Sequence, residues 1–370
     1  MKKALALLLV LSVILTGAFA NGATEEPAAA VSEDPLVAAA QAEGKLVVYG
    51  SCEEEYLSAA CEKFEQMYGI EVEQMRLSTG EVQAKIEEEN GNPSADVWFG
   101  GTSDPYNIAA SKGFLEAYDA KNIANISKPI FMDPEHRWFG IYTGLLGFFY
   151  NKDEVERLGL DIPQDFADLI DPQYKGYIWT SNYNTAGTAR LVLNTAIQKY
   201  GHDEGIKYLV ELDKNVQVYT KSGSGPSKNV GTGECVIGIG FLHDGIKQIV
   251  DNGYDNIGMV IPSSGTTSEI GATAIFKGCK HPNAAKLWIE FALSPDCVNI
   301  AKDNGSYQFL VLKNAEQPAI AYEFGLDPNN VIDYDFEDAK VNSAQYIQDV
   351  MEALAASGAA TGDTTRFQVK

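Results

Sequence analysis

The chain has 370 residues, with 28 Lys and Arg against 51 Asp and Glu, a net charge of −23. That excess excludes the basic face that nucleic-acid binding needs and makes an anionic membrane surface an unsuitable partner. The length calls for two cores rather than one. The acidity serves mainly solubility and leaves room for an anion held in a closed cleft by backbone N–H groups and helix N-termini.

The first twenty residues start Met-Lys-Lys, run through ALALLLVLSVILTG and end Ala18-Phe19-Ala20. A basic start, a short apolar run and a small-x-small end make an export signal cleaved near Ala20, too short for a comfortable membrane span. No Cys follows Ala20, so a lipid anchor is not expected, and the mature chain is expected in the periplasm. Residues 21–40 open with small and polar residues around Pro27 and Pro35 and read as a flexible leader.

KLVVYG (45–50) is an apolar run, a buried strand. The helix after it carries Tyr56, Leu57, Ala60, Phe64 and Met67 at helical spacing and stops at Gly69, with Ser51 as N-cap. Glu53, Glu54 and Glu55 then read as its solvated first turn. IEVEQMRL is the next strand, EVQAKIEEEN the next helix and ADVWFGG a third strand. Successive β-α units predict a parallel sheet covered by helices, with ligands bound beyond the strands' carboxyl ends. Those ends carry Gly-Ser (50–51), Ser-Thr-Gly (78–80) and Gly-Gly-Thr (100–102), which let a ligand approach donor groups.

A second block opens at FGIYTGLLGFFYNKD (139–153). YIWT (177–180) leads to SNYNTAGTAR and a helix, and VQVYT (216–220) leads to KSGSGP, as much a surface loop as a cleft wall. ECVIGIGFLHD (234–244) reads as a strand ending in His-Asp, followed by helix GIKQIVDNG. GMVIPSSGTTSEIGATAIFKG returns to the first block, with helix HPNAAKLWIEFALSP after it. The fold class is therefore α/β: two lobes, each a mainly parallel sheet flanked by helices, hinged around a central cleft. We divide the chain into signal (1–20), leader (21–40), lobe 1 (41–140 and 266–310) and lobe 2 (141–265 and 311–370).

Trp98, Trp138, Trp179 and Trp288 read as core, and His136, His202 and His281 as loop residues. Arg76 and Arg137 stand near strand ends, where salt bridges are the first expectation and a phosphate the second. The five cysteines leave at least one unpaired. No C-x-x-C spacing supports zinc or redox chemistry, and Cys279 and Cys297 flank a helix at a separation open to pairing.

LVVYGS, STGEVQAKIEEENGNPSADVWFGG, FGIYTGLLGFFYNKD and EIGATAIFKGCKHPNAAKLWIEFALSPD form an ordered series from about Lys45 to Asp296. In this series the chain resembles the extracellular solute-binding proteins of ABC importers, in the two-lobed group that includes ferric-ion binders. The resemblance implies a receptor that delivers a small ligand to a membrane permease, with no enzyme activity, no cofactor and a monomeric state. Ferric binders of this group carry adjacent tyrosines where this chain has Phe241, Leu242, His243 and Asp244, and it has no Tyr-Tyr pair.

The His-Asp pair looks more like the hexose-phosphate receptors of the group, in which His, Asp and a later Glu bind sugar hydroxyls. That implies His243, Asp244 and Glu269 for the hydroxyls. Ser51, Thr79, Gly80, Thr102, Thr143, Thr185, Gly187 and Thr188 supply hydroxyl and N–H donors for the phosphate. The expected ligand is thus a small anion, a sugar phosphate first, and no metal ligand is assigned. A ferric or other metal ion is the alternative. An exported hydrolase is the second, although no G-x-S-x-G or H-E-x-x-H motif is present.

Overall fold

The computed structural model describes residues 34–358. The expected export signal and the leader up to residue 33 lie outside them. The rest of the leader is helical, because Asp34 accepts the Leu36 N–H as an N-cap and Pro35 suits the first helical turn.

The strands are β1 (Lys45–Gly50), β2 (Glu71–Arg76), β3 (Val97–Thr102), β4 (Leu115–Glu116), β5 (Phe139–Asn151), β6 (Ile178–Ser181), β7 (Val216–Thr220), β8 (Ile237–Phe241), β9 (Ile257–Val260), β10 (Ser268–Phe276) and β11 (Phe309–Leu310). The helices are α1 (Pro35–Glu43), α2 (Glu54–Tyr68), α3 (Thr79–Glu89), α4 (Ser103–Ser111), α5 (Lys152–Leu158), α6 (Gly187–Tyr200), α7 (His202–Asp213), α8 (Gly225–Val230), α9 (Leu242–Val250), α10 (Pro282–Ala292), α11 (Pro295–Val298), α12 (Ala319–Glu323) and α13 (Phe336–Ala356).

The sheet runs β2-β1-β3-β10-β5-β8-β6-β7. Its two ends are parallel, as expected: β1 with β2 and β3, and β6 with β7 and β8. The middle is antiparallel, which the sequence reading did not foresee. β10 runs against β3 and β5, and β5 against β8 and β9. The reason is that β5 is long enough to serve both halves. Phe139–Leu145 pairs with β10, and Leu146–Asn151 pairs with β8 and β9.

Each half has its own core. In the first, Phe64 packs on Trp288 and Phe291 with ring centroids 5.3 and 5.6 Å apart. In the second, Phe148 meets Phe166 edge-on among Ile178, Leu193 and Ile239. Burying each such side chain contributes about 1.5–3 kcal/mol. All four tryptophans are buried, as their sequence context predicts. Cys279 and Cys297 are not bonded to each other. Cys297 turns into the first core, where its sulfur lies 3.9 Å from the Tyr56 hydroxyl. Among the described residues no helix is long and apolar enough to cross a membrane.

Candidate functional site

A cavity of about 610 Å³ lies between the two halves of the sheet. The N-cap residues of six helices line it: Glu53 (α2), Ser78 (α3), Thr102 (α4), Ala186 (α6), Ser224 (α8) and Phe241 (α9). Each of these helices follows a parallel strand, so its N-terminus opens at the strand's carboxyl end. The unpaired N–H groups there carry about half a positive charge per helix.

One end of the cavity is acidic. His243 and Asp244 sit in the first turn of α9 rather than on the strand, because β8 ends at Phe241 and that residue caps the helix. His243 stacks on Phe241 with centroids 5.3 Å apart. Its Nε2 lies 3.5 Å from Glu53 Oε1. Glu53 also accepts from Gln308 Nε2 at 2.9 and 3.0 Å and from Ser306 Oγ at 3.0 Å. Burial alone would raise the Glu53 carboxyl, but the His243 hydrogen bond and charge, with Gln308, hold it well below the usual range. Burial works the other way on His243, where the Glu53 bond and the Asp244, Glu53 and Glu269 charges prevail and raise it to about 9.

Glu269, on β10, projects beside this pair. Gly144 on β5 makes the room: a side-chain carbon there would lie 2.5 Å from the His243 ring and 3.0 Å from Glu269 Oε1. Burial raises Glu269 to about 8, opposed by the His243 charge and reinforced by Glu53 and Asp244. Burial also raises Asp244, against the His243 charge. Asp244 and Glu269 are 7% and 4% exposed, and neither side chain takes a hydrogen bond among the described residues. His243 Nδ1 is likewise buried without a partner. Atoms of Glu53, His243 and Asp244 lie within 4.8 Å of one another, close enough to surround one ion.

The other end carries donors. Arg76 reaches across the cavity, its Nη1 3.4 Å from Ser222 Oγ and its Nε 3.3 Å from the Cys52 carbonyl, with no carboxylate in ion-pair range among the described residues. Ser224, Ser227, Lys228 and Thr188 continue that wall, and the buried Thr102 hydroxyl there has no partner. The rim is bridged by Glu81–Lys221 and Glu55–Lys247, each at 2.6 Å.

Residues 59–318 match the family of bacterial extracellular solute-binding proteins. The chain belongs to that family. A Haemophilus influenzae protein described as uncharacterized is 39% identical to this solute-binding protein over 306 residues, 80% of this chain and 86% of that one. The periplasmic binding protein AfuA from Actinobacillus pleuropneumoniae, solved with exogenous fructose 6-phosphate bound, is 37% identical. It superimposes with a TM-score of 0.79 over 84% of this chain and 99% of that one. Iron-bound HitA from Pseudomonas aeruginosa shares the fold, with a TM-score of 0.72 at 20% identity over 83% of this chain and 99% of that one. The chain therefore has the two-lobed periplasmic-binding-protein fold and is a solute-binding protein of the ABC-importer type. Such proteins bind a small ligand and deliver it to a membrane permease.

Eight of the residues singled out from the sequence line the cavity of this solute-binding protein: Ser51, Thr79, Thr102, Gly187, Thr188, His243, Asp244 and Glu269. Three do not. Gly80 N–H donates to the Thr185 carbonyl at 3.1 Å, so these two join the halves at the rim, with the Thr185 hydroxyl spent on the Lys221 carbonyl. Thr143 points to the opposite face of β5, where it lines a separate cavity, because alternate strand residues face opposite ways. Ser51 is not the N-cap of α2. Its hydroxyl accepts from Trp98 Nε1 at 3.0 Å, and Glu53 takes the cap position.

Glu53 is the residue the sequence reading missed, since a run of three acids at a helix start looks like a solvated turn. The 221–226 loop proves to be a cleft wall at Ser222, Gly223 and Ser224. Arg137 is bound to Asp133 at 2.6 Å, whereas Arg76 faces the cavity.

Proposed function

We propose that the cleft binds a phosphorylated sugar for delivery to an ABC permease. The observation that carries this reading is the division of one cavity into two chemistries. Arg76, Lys228, the serine-rich loop and several helix N-termini offer donors for a phosphate. His243 Nδ1 and the Asp244 and Glu269 carboxyls, without hydrogen-bond partners among the described residues, offer buried groups for a polyol. The likeness to AfuA, solved with fructose 6-phosphate, supports the same reading. Ferric binding is the weaker alternative, because the adjacent tyrosines are absent.

Calorimetry on the ligand-stripped protein tests this. Glucose 6-phosphate and fructose 6-phosphate bind, while the parent sugars and ferric citrate do not. His243→Ala and Asp244→Ala each weaken hexose-phosphate binding at least tenfold, a loss of about 1–3 kcal/mol for a buried hydrogen bond. Binding of ferric ion alone, or unchanged affinity in both variants, would overturn the assignment.

A further inference from the structure

Resting on the sugar-phosphate reading, the acidic end of the cavity divides into groups that are free for a ligand and one that is not. Glu53 stands at the N-cap position of α2, yet its side chain makes no capping bond and turns into the cavity. There its oxygens are occupied from within the protein. Gln308 Nε2 donates to both, at 2.9 and 3.0 Å, and Ser306 Oγ to one at 3.0 Å, while His243 Nε2 faces the other at 3.5 Å. A carboxylate has about four lone-pair sites, so this set leaves Glu53 no acceptor for a ligand. Asp244 and Glu269 take no hydrogen bond among the described residues.

His243 is held from two sides. Its ring lies nearly flat against Phe241, with the planes 14° and the centroids 5.3 Å apart. That contact sets the plane of the ring but not which edge faces which way, because turning the imidazole over about its Cβ–Cγ bond keeps the same plane. Glu53 makes the choice. Its carboxylate receives an N–H only when Nε2 points towards it, and Nδ1 then lies on the Gly144 side. A side-chain carbon on that glycine would stand 2.5 Å from Nδ1 and 3.0 Å from Glu269 Oε1. Nδ1 is buried there without a hydrogen-bond partner among the described residues.

We infer that Glu53 is a positioning residue for ligand recognition: it does not receive the ligand, but turns the His243 ring so that Nδ1 is presented beside Glu269 to a sugar hydroxyl. Glu53 follows β1 and His243 follows β8, so the pair joins the two halves of the sheet and sets the ring only while they are together.

The test is a double-mutant cycle on the ligand-stripped protein, read by calorimetry with glucose 6-phosphate and with inorganic phosphate. The folding of each variant is checked by its thermal transition. Glu53→Ala is expected to weaken glucose 6-phosphate binding about fivefold or more. It narrows the preference for that ligand over inorganic phosphate by a similar factor, because bare phosphate brings no sugar hydroxyl to His243. In a His243→Ala background the same change costs less than about twofold, since no ring is left to turn. Glu53→Gln keeps an acceptor for Nε2 and restores most of the affinity. Should Glu53→Ala not fold, Glu53→Leu, of similar length and without an acceptor, takes its place in the cycle. Additive losses in the cycle, equal losses for the two ligands, or a Glu53→Gln variant as weak as Glu53→Ala overturn the positioning role and leave the sugar-phosphate reading standing. Failure of the unaltered protein to bind glucose 6-phosphate overturns both.

Discussion

Asp96 and Asp244 are both buried aspartates near a histidine, yet their surroundings share nothing else. The Asp96 carboxylate accepts from the backbone N–H groups of Val47, Lys280 and His281 and from His281 Nδ1, all between 2.8 and 3.0 Å. Those bonds tie β1 to the segment that starts α10. Among the described residues Asp244 takes no hydrogen bond, and its neighbour His243 turns to Glu53 instead. A buried carboxylate whose donors are complete holds the fold together. One whose donors are missing is expensive until a partner supplies them, which is the role proposed for the ligand.

The comparison breaks first, and hardest, at the level of stability. Asp96→Ala strands four donors and is expected to lower the unfolding free energy by about 3 kcal/mol or more. Asp244→Asn removes an unpartnered carboxylate and should leave the ligand-free protein as stable as before, or more so. Urea denaturation of the two variants measures this, and equal losses would show that the two aspartates do the same work.

A second, smaller effect is in pH. Glu269 is raised from 4.5 to about 8, so the folded chain holds its proton more tightly than the unfolded one, and the stability this contributes is lost as pH rises towards 8. His243, raised from 6.5 to about 9, adds a loss of the same sign between those values. Unfolding free energy of the ligand-free protein should therefore fall from pH 6.5 to pH 9. Glu269→Gln should flatten the part below pH 8. A rise over that range, or a slope untouched by the variant, contradicts the account of the acidic end.

The smallest effect belongs to the rim. Lys221 and Glu81 are partly exposed, and such pairs contribute about 0–1 kcal/mol. Lys221→Met should change ligand affinity by less than about fivefold and reduce its dependence on salt. A loss as large as that of Asp244→Ala would move the rim into the binding site.

Much of this could be read from local pattern. KLVVYG and VQVYT are β1 and β7 to the residue, because a short apolar run bounded by turn residues reports its own conformation. The cavity-lining strand ends were legible for the same reason, since a β-α unit places its junction at one edge of the sheet wherever the rest of the chain goes. Gly80, Thr143 and Thr185 stand at such junctions or on such strands too, and there the pattern misleads. Which way Thr143 points depends on the register of β5 against β10, and whether Thr185 is free depends on a loop more than thirty positions away.

The sequence by itself determined that this is an acidic α/β chain, that its strand ends are small and polar, and that His243, Asp244 and Glu269 are candidate binding residues. Only the tertiary structure decided that β5 is shared by both halves and that Glu53, first in a row of three acids, is the partner of His243. It also decided that Asp244 and Glu269 are buried without hydrogen bonds. The reason is physical: strand and helix formation follow contacts a few residues apart, whereas the charge state of a buried carboxyl is set by groups that only the folded chain brings within a few ångströms. Glu53 and His243 are 190 positions apart in the chain and 3.5 Å apart in the cleft.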